Sequence, residues 1–201
     1  MVTPDALYTA TSIGVMVCWI VFAAAFFLRK RRKASNEHSR DNQYRIGLLF
    51  EAAGFACVWM FRRKDPLLFV DGGVSVGIVF SAAAVLLAVL SVAMVVTALK
   101  TLGKQWAVAA RLVEDHRLIT GGPYGIVRNP IYSGMFGMLI ATGFALSTWY
   151  AVVIAVPLFW FGTVVRVRTE EKLLREAFGD EFEQYKQRVP SLLPRLFRDR
   201  D

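Results

Sequence analysis

Histidine and cysteine are scarce in this chain, and so are acidic side chains. The two histidines, His38 and His116, stand far apart and leave few groups that titrate near neutrality. No metal site is expected. Cys18 and Cys57 both lie inside apolar stretches, which argues against a disulfide framework and for buried thiols. No Gly-x-Gly-x-x-Gly follows a strand pattern, so soluble dinucleotide folds are excluded. There is no internal repeat and no low-complexity linker. No basic cluster precedes the first apolar run, so that run is read as a permanent anchor instead of a cleaved signal. Acidic residues number 16 against 24 lysines and arginines, a formal charge of +8. The basic residues sit between oily blocks, which fits a membrane surface better than nucleic acid.

What the chain does have is hydrocarbon. Apolar residues make up 55% of it, the mean hydropathy is +0.43, and long runs carry no charge. A span needs roughly 20 apolar residues to cross about 30 Å. Residues 6–28 and 74–99 qualify, and 46–61 is shorter and interrupted by Glu51. The charge-free run 131–165 is too long for one helix and suits two, 131–146 and 149–165, joined by a polar turn at Ser147-Thr148. Pro157 predicts a kink in the second arm. The expected architecture is a single all-α polytopic membrane domain over 1–201, with about five transmembrane helices, a C-terminal helical hairpin and a cytoplasmic C-terminal helix.

Orientation follows from the positive-inside rule. With the N-terminus outside and the C-terminus in the cytoplasm, the segments 29–45, 100–130 and 166–200 bring 21 of the 24 basic residues inside. Arg62, Arg63 and Lys64 fall outside. In the tail, Leu174, Phe178, Phe182, Tyr185 and Val189 recur at helical spacing, with Gly179 interrupting and Pro190 and Pro194 ending the pattern.

The stretch GPYGIVRNPIYSG, residues 122–134, forms a stiff polar elbow at the entrance to an oily segment. Pro123 and Pro130 fix φ, and Pro130 suits the first turn of a helix whose free amides form an anion site. Arg128 adds a planar cationic fork, and Tyr124 and Tyr132 offer flat faces with hydroxyl tips. Such a set suits a ligand with a ring, a polar middle and an acidic end. The plain alternative is a turn with interfacial anchors. A tight hairpin, however, returns the chain at Arg166 and Glu170-Glu171, beside the elbow on the same membrane face. Glu51 is a separate candidate, because a charge in hydrocarbon costs about 2.5–3.5 kcal/mol on insertion scales. A partner or a hydrated cleft near the surface would satisfy it.

Three pieces occur in order: His116-Arg-Leu-Ile-Thr-Gly-Gly-Pro-Tyr, Val127-Arg-Asn-Pro-Ile-Tyr-Ser-Gly, and Arg166-x-x-x-Glu-Glu-x-x-Leu-x-x-x-Phe-Gly-x-x-Phe-x-x-Tyr. Together they resemble the integral-membrane methyltransferase superfamily of isoprenylcysteine carboxyl methyltransferases and phospholipid methyltransferases, over about 102–194. Lys104 and Trp106 also match that pattern, with interfacial anchoring as the competing reading. The resemblance implies S-adenosylmethionine as methyl donor, held in cytoplasmic segments 100–130 and 166–201. It implies a cofactor-binding set of His116, Leu118, Ile119, Tyr124, Arg128, Asn129, Pro130, Tyr132, Glu170 and Glu171, the stretch 116–120 being strand-like. Arg128, Arg166 and Glu170 are the expected catalytic residues, with Arg166 orienting Glu170 from one turn away. The family commonly has Arg-His-Pro where this chain has Arg128-Asn129-Pro130, and an asparagine cannot titrate.

The implied partner is a lipophilic or lipidated acceptor in a membrane lipid setting, in a bacterial-type inner membrane. An isoprenylcysteine-type carboxylate is favoured, because a carboxylate attacks as the anion and the chain has few bases. The alternatives are a lipid N-methyltransferase, an NADPH-dependent sterol-type reductase, whose pattern places an acidic residue where Ser133-Gly134-Met135 stands, and a non-enzymatic scaffold.

Overall fold

The computed structural model describes residues 4–28, 42–63, 73–103 and 118–194. Six helices account for most of them: α1 Pro4–Phe27, α2 Asn42–Met60, α3 Gly73–Leu102, α4 Pro130–Leu146, α5 Trp149–Phe178 and α6 Asp180–Arg188. Among the described residues there is no β-strand, only an isolated bridge between Arg62 and Ser147. The fold is all-α, as the hydropathy pattern predicts. By length and composition α1, α3 and α5 can each cross a membrane, and α4 is a shorter apolar helix. These helices make the chain an integral membrane protein.

The termini of the helices gather at two ends. At one end the segment after α2 closes on the α4–α5 turn. The Arg63 amide donates to the Leu146 carbonyl at 3.1 Å, the Thr148 amide donates to the Phe61 carbonyl at 3.1 Å, and the Ser147 hydroxyl donates to the Val58 carbonyl. The α1 N-terminus lies there too, with Tyr8 beneath the Arg63 guanidinium at 5.4 Å. At the other end lie the start of α2, the C-terminus of α3, the 122–134 elbow and the last turns of α5. A 19-residue helix is about 28 Å long, so α2 runs the full distance between the ends despite Glu51. Two of the outlying basic residues also have work at the turn end, Lys64 lying outside the described residues. Arg63 Nη2 donates to the Ala145 carbonyl at 2.8 Å, closing the C-terminus of α4, and Arg62 lies over the Trp59 ring at 5.2 Å.

α2 lies along α5, α3 along α4, and α1 on α3. Lipid tails are as apolar as leucine, so helices in a bilayer associate through close packing, not through escape from water. Small residues supply that here. The buried face of α2 reads Tyr44, Gly47, Glu51, Gly54, Val58, alternating spacings of three and four. Gly134 and Gly137 of α4 meet Ser91 of α3 in the same way: a Cβ on Gly134 would fall 2.9 Å from the Ser91 carbonyl oxygen.

The tail helix is broken where the sequence suggests. α5 runs through Pro157 and continues beyond the apolar stretch to Phe178, and Gly179 turns the chain at φ +49° into α6. The expected apolar stripe becomes a cluster of Phe182, Tyr185 and Val189 with Leu118, Leu174 and Phe178. A side chain at Gly179 would meet open space, so its cost is purely conformational. Gly179→Ala is expected to weaken α6 docking by about 1–3 kcal/mol, read as a lower melting temperature with unchanged helix content.

Candidate functional site

Each polar side chain of the site is placed by a short backbone device. Residues Gly122–Gly125 form a 3-10 turn with Pro123 near its start, and its first residue, Gly122, takes φ +59° against Thr101 of α3. The turn buries Tyr124 and Val127 and presents Arg128 and Asn129. Pro130 then starts α4 at a position where a missing N–H costs nothing. The backbone amide of Arg128 donates to Pro190 O at 2.8 Å and that of Asn129 to Ser191 O at 3.0 Å, so these two amides serve the chain itself. The Asn129 side chain donates to the Ser191 carbonyl and hydroxyl, at 3.2 and 3.1 Å, and the Ser133 hydroxyl donates to Leu192 O. Residues 190–192 are thereby strapped across the elbow.

The guanidinium of Arg128 is the knot of that strap. Its Nε and Nη2 donate to Glu171 Oε1, at 3.1 and 2.8 Å, and its Nη1 donates to the Lys186 carbonyl at 3.1 Å and to the Val189 carbonyl. Four of the five N–H donors of an arginine are thus engaged within the chain. Both contacts to Glu171 use one carboxylate oxygen, which leaves the other facing away from the pair. Tyr185 completes the docking by donating to the Tyr124 carbonyl at 2.6 Å. Burial pushes its phenol up to about 12, so it remains a neutral donor at any physiological pH.

One turn away lies a second cluster. Tyr132 donates to Glu170 Oε1 at 2.6 Å. The Arg166 guanidinium stacks on Tyr132 at 4.9 Å and on Tyr44 at 4.5 Å. Its Nη1 donates to Glu51 Oε2 and its Nη2 to the Tyr44 hydroxyl, while Thr163 donates to Glu51 Oε1 at 3.0 Å. Arg166 Nε is buried without a hydrogen-bond partner. The expectation that Arg166 orients Glu170 is corrected here: Arg166 bonds to α2, and Tyr132 orients Glu170. The elbow and the returning α5 do converge, through Tyr132–Glu170 and Arg128–Glu171. The two glutamates point to different partners, as a 100° step per residue requires.

Beside the Arg128–Glu171 pair and the strap opens a cavity of about 460 Å³, within the roughly 300–1,000 Å³ typical of small-molecule sites. Arg128, Arg168, Glu171 and Ser191 form its polar side, and Trp160, Val164, Val167, Leu192 and Leu193 its apolar side.

Of the residues expected at the site, Tyr124, Arg128, Asn129, Pro130, Tyr132, Arg166, Glu170 and Glu171 gather at this end. Leu118 joins the α6 cluster and Ile119 is half-buried beside it in sequence, and Leu118–Thr120 is not a strand. His116, Lys104, Trp106 and His38 lie outside the described residues. Sequence reasoning missed Tyr44, Thr163, Trp160, Arg168 and Ser191–Leu193. A signal existed for the first two. Tyr44 and Glu51 are two turns apart, and Thr163, Arg166 and Glu170 fall on one face of α5.

A family model described as phospholipid methyltransferase matches residues 79–181, which takes in the elbow, the α4–α5 hairpin and the paired glutamates. The chain belongs to the phospholipid methyltransferase family. Its similar relatives include the protein-S-isoprenylcysteine O-methyltransferase of Schizosaccharomyces pombe, 37% identical over 87 residues, 43% of this chain and 37% of that one. Protein-S-isoprenylcysteine O-methyltransferase B of Arabidopsis thaliana is 33% identical over 100 residues, 49% of this chain and 51% of that one. The cobalt-zinc-cadmium resistance protein CzcN of Cupriavidus metallidurans is 32% identical over 111 residues, 53% and 50% of the two chains. This member of the methyltransferase family spans about half the length, or less, of the curated relatives it matches. α1 and α2 lie outside the residues that the family model covers.

Proposed function

We propose that this chain transfers a methyl group from S-adenosylmethionine to a lipophilic acceptor where the membrane meets the cytoplasm, with an isoprenylcysteine-type carboxylate as the favoured acceptor. The observation that carries the reading is the convergence of Arg128 and Tyr132 with Glu171 and Glu170 beside a cavity that is polar on one side and apolar on the other.

The residues present fit the donor's charges. Glu170 and Glu171 each accept hydrogen bonds on one oxygen and keep a second for an ammonium group. Arg168 and the remaining N–H of Arg128 suit a carboxylate end, and Trp160 and the leucines suit an apolar or aromatic portion. When bound, S-adenosylmethionine supplies an electrophilic methyl group on a sulfonium. The chain contributes placement and charge, which is what in-line displacement asks of a protein. Arg166, still holding a bare Nε, is the cation best able to accept and align an anionic nucleophile. Arg128, largely engaged with Glu171 and the strap, shapes the site instead.

An ionised carboxylate needs no base, in keeping with a chain that has only two histidines. The names of the relatives from S. pombe and A. thaliana favour the same acceptor class. The excess of basic residues in 29–45, 100–130 and 166–200 supports a cytoplasmic site with the N-terminus across the membrane; a bacterial-type inner membrane is part of the proposal. A lipid amine is the second reading, favoured by the description of the family model.

The test is methyl-labelled S-adenosylmethionine given to the purified protein with extracted membranes. Label should enter the lipid-soluble fraction and leave it as a volatile product under mild alkali. Alkali-stable label would replace the ester with a nitrogen or sulfur acceptor. Binding of NADPH without any of S-adenosylmethionine would overturn the assignment.

A further inference from the structure

We infer that Glu51 and Tyr44 of α2 are positioning residues that set the Arg166 guanidinium for the acceptor. The inference rests on the proposed methyl transfer. It assigns a part in the reaction to a helix outside the family-matched residues 79–181.

Arg166 sits at a depth where a guanidinium has little water, with 8% of its surface exposed, and Glu51 is 1% exposed. A planar cation there has two unknowns, its position along the helix axis and the tilt of its plane. Tyr44 and Tyr132 restrict the plane, their ring centroids lying 4.5 and 4.9 Å from the guanidinium carbon. Glu51 and the Tyr44 hydroxyl fix the position by taking one nitrogen each. Thr163, from the turn before Arg166, holds the second oxygen of Glu51 and so prevents the carboxylate from rotating. Of the three nitrogens, Nε alone is left buried and unpartnered. Buried donors are nearly always satisfied, so this fixed orphan donor, one turn from Glu170 though outside the lining of the cavity, is an atom on which a ligand oxygen can be held.

A simple clip between α2 and α5 would not need this arrangement. Close packing at Gly47, Gly54 and Gly162 already joins the two helices backbone to backbone. A neutral pair would also avoid the cost of two buried charges. The two tyrosine contacts and the threonine brace restrict orientation, and orientation is what alignment of a nucleophile demands.

The experiment compares Glu51→Gln, Glu51→Asp and Tyr44→Phe with a packing control, Gly54→Ala. A Cβ at Gly54 would fall 3.0 Å from the Ala155 carbonyl oxygen, so the control disturbs the α2–α5 contact one turn from the charged cluster while removing none of the cluster's hydrogen-bonding groups. Melting temperature, kcat and the KM for S-adenosylmethionine are measured for each in lipid nanodiscs. Glu51→Gln should lower kcat by about 100-fold, the penalty of an ångström-scale misplacement, with the donor KM within about twofold of wild type. Tyr44→Phe, which keeps the stacked ring and loses one hydrogen bond to a charged group, should lower kcat by about tenfold, and Glu51→Asp should recover part of the Glu51→Gln loss. The inference is overturned if Glu51→Gln keeps kcat within about threefold of wild type. It is equally overturned if Gly54→Ala, at a matched melting temperature, loses as much. A wild-type protein that transfers no methyl group would instead defeat the proposed function, and the inference with it, before any variant is made.

Discussion

Arg128→Ala should reduce methyl transfer on the order of a thousandfold while most of the membrane bundle stays folded. The guanidinium makes the ion pair with Glu171 and caps two carbonyls at the end of α6, Lys186 and Val189. The side chains of the pair are only 9% and 14% exposed. Removing one partner of a buried pair costs roughly 3–5 kcal/mol, because the other charge is left uncompensated. At 1.4 kcal/mol per tenfold, that is about three powers of ten in the population of the docked tail. The loss is local, since α1, α2 and α3 make none of these bonds. Amide exchange should therefore quicken across 180–192 and stay slow in α3. Arg128→Lys should recover little, since an ammonium cannot bridge Glu171 and two carbonyls in one plane. Uniform exchange in the variant, or activity within tenfold of wild type, would remove Arg128 from its place as the knot of the strap.

Gly162→Leu should abolish folding, and Gly162→Ala should weaken it. At this position α5 passes α2 so closely that a Cβ would fall 2.4 Å from the Gly47 carbonyl oxygen and 2.8 Å from the Glu51 amide nitrogen. Both are backbone atoms, which cannot rotate away as a side chain can. The helices would have to separate, and overpacking of this kind costs about 1–3 kcal/mol for a methyl group. Separation would also draw Glu51 from Thr163 and Arg166, exposing two charges to an apolar setting. Size-exclusion chromatography and thermal unfolding in detergent would show aggregation for leucine and a lowered transition for alanine. A Gly162→Leu protein that eluted and melted like wild type would mean that α2 does not lie against α5 as described. Gly47 offers a reciprocal check, since its own Cβ would fall 2.8 Å from the Gly162 carbonyl oxygen.

Much of the site was legible because its parts are conspicuous locally. Two prolines and four glycines around one arginine, next to a charge-free run, can hardly be other than an elbow. A hairpin with a two-residue turn must return the chain to the side it left, which puts 166–171 beside 122–134 without any knowledge of packing. The break at Gly179 and the apolar stripe through Val189 follow from helical periodicity. Glu51 stood out because a carboxylate in an oily helix is costly, yet nothing local names its partner.

The partner choices were not legible, because they are set by helix pairing across more than a hundred residues. Arg166 was expected to serve Glu170, one turn away on its own helix. In the folded chain it turns to Glu51 and Tyr44, and Tyr132 takes Glu170. Arg128 was expected to face a ligand, and most of its donors hold the tail instead. The sequence by itself determined the oily helices, the elbow and the hairpin that returns α5 to it, since each depends on residues adjacent in the chain or one helical turn apart. Only the tertiary structure decided which carboxylate each arginine holds. For Arg166 that choice depends on which helix lies against α5, and glycine-to-backbone fit between α2 and α5 settles it; Gly47 and Gly54 repeat every two turns, but nothing in that spacing names α5 as the partner.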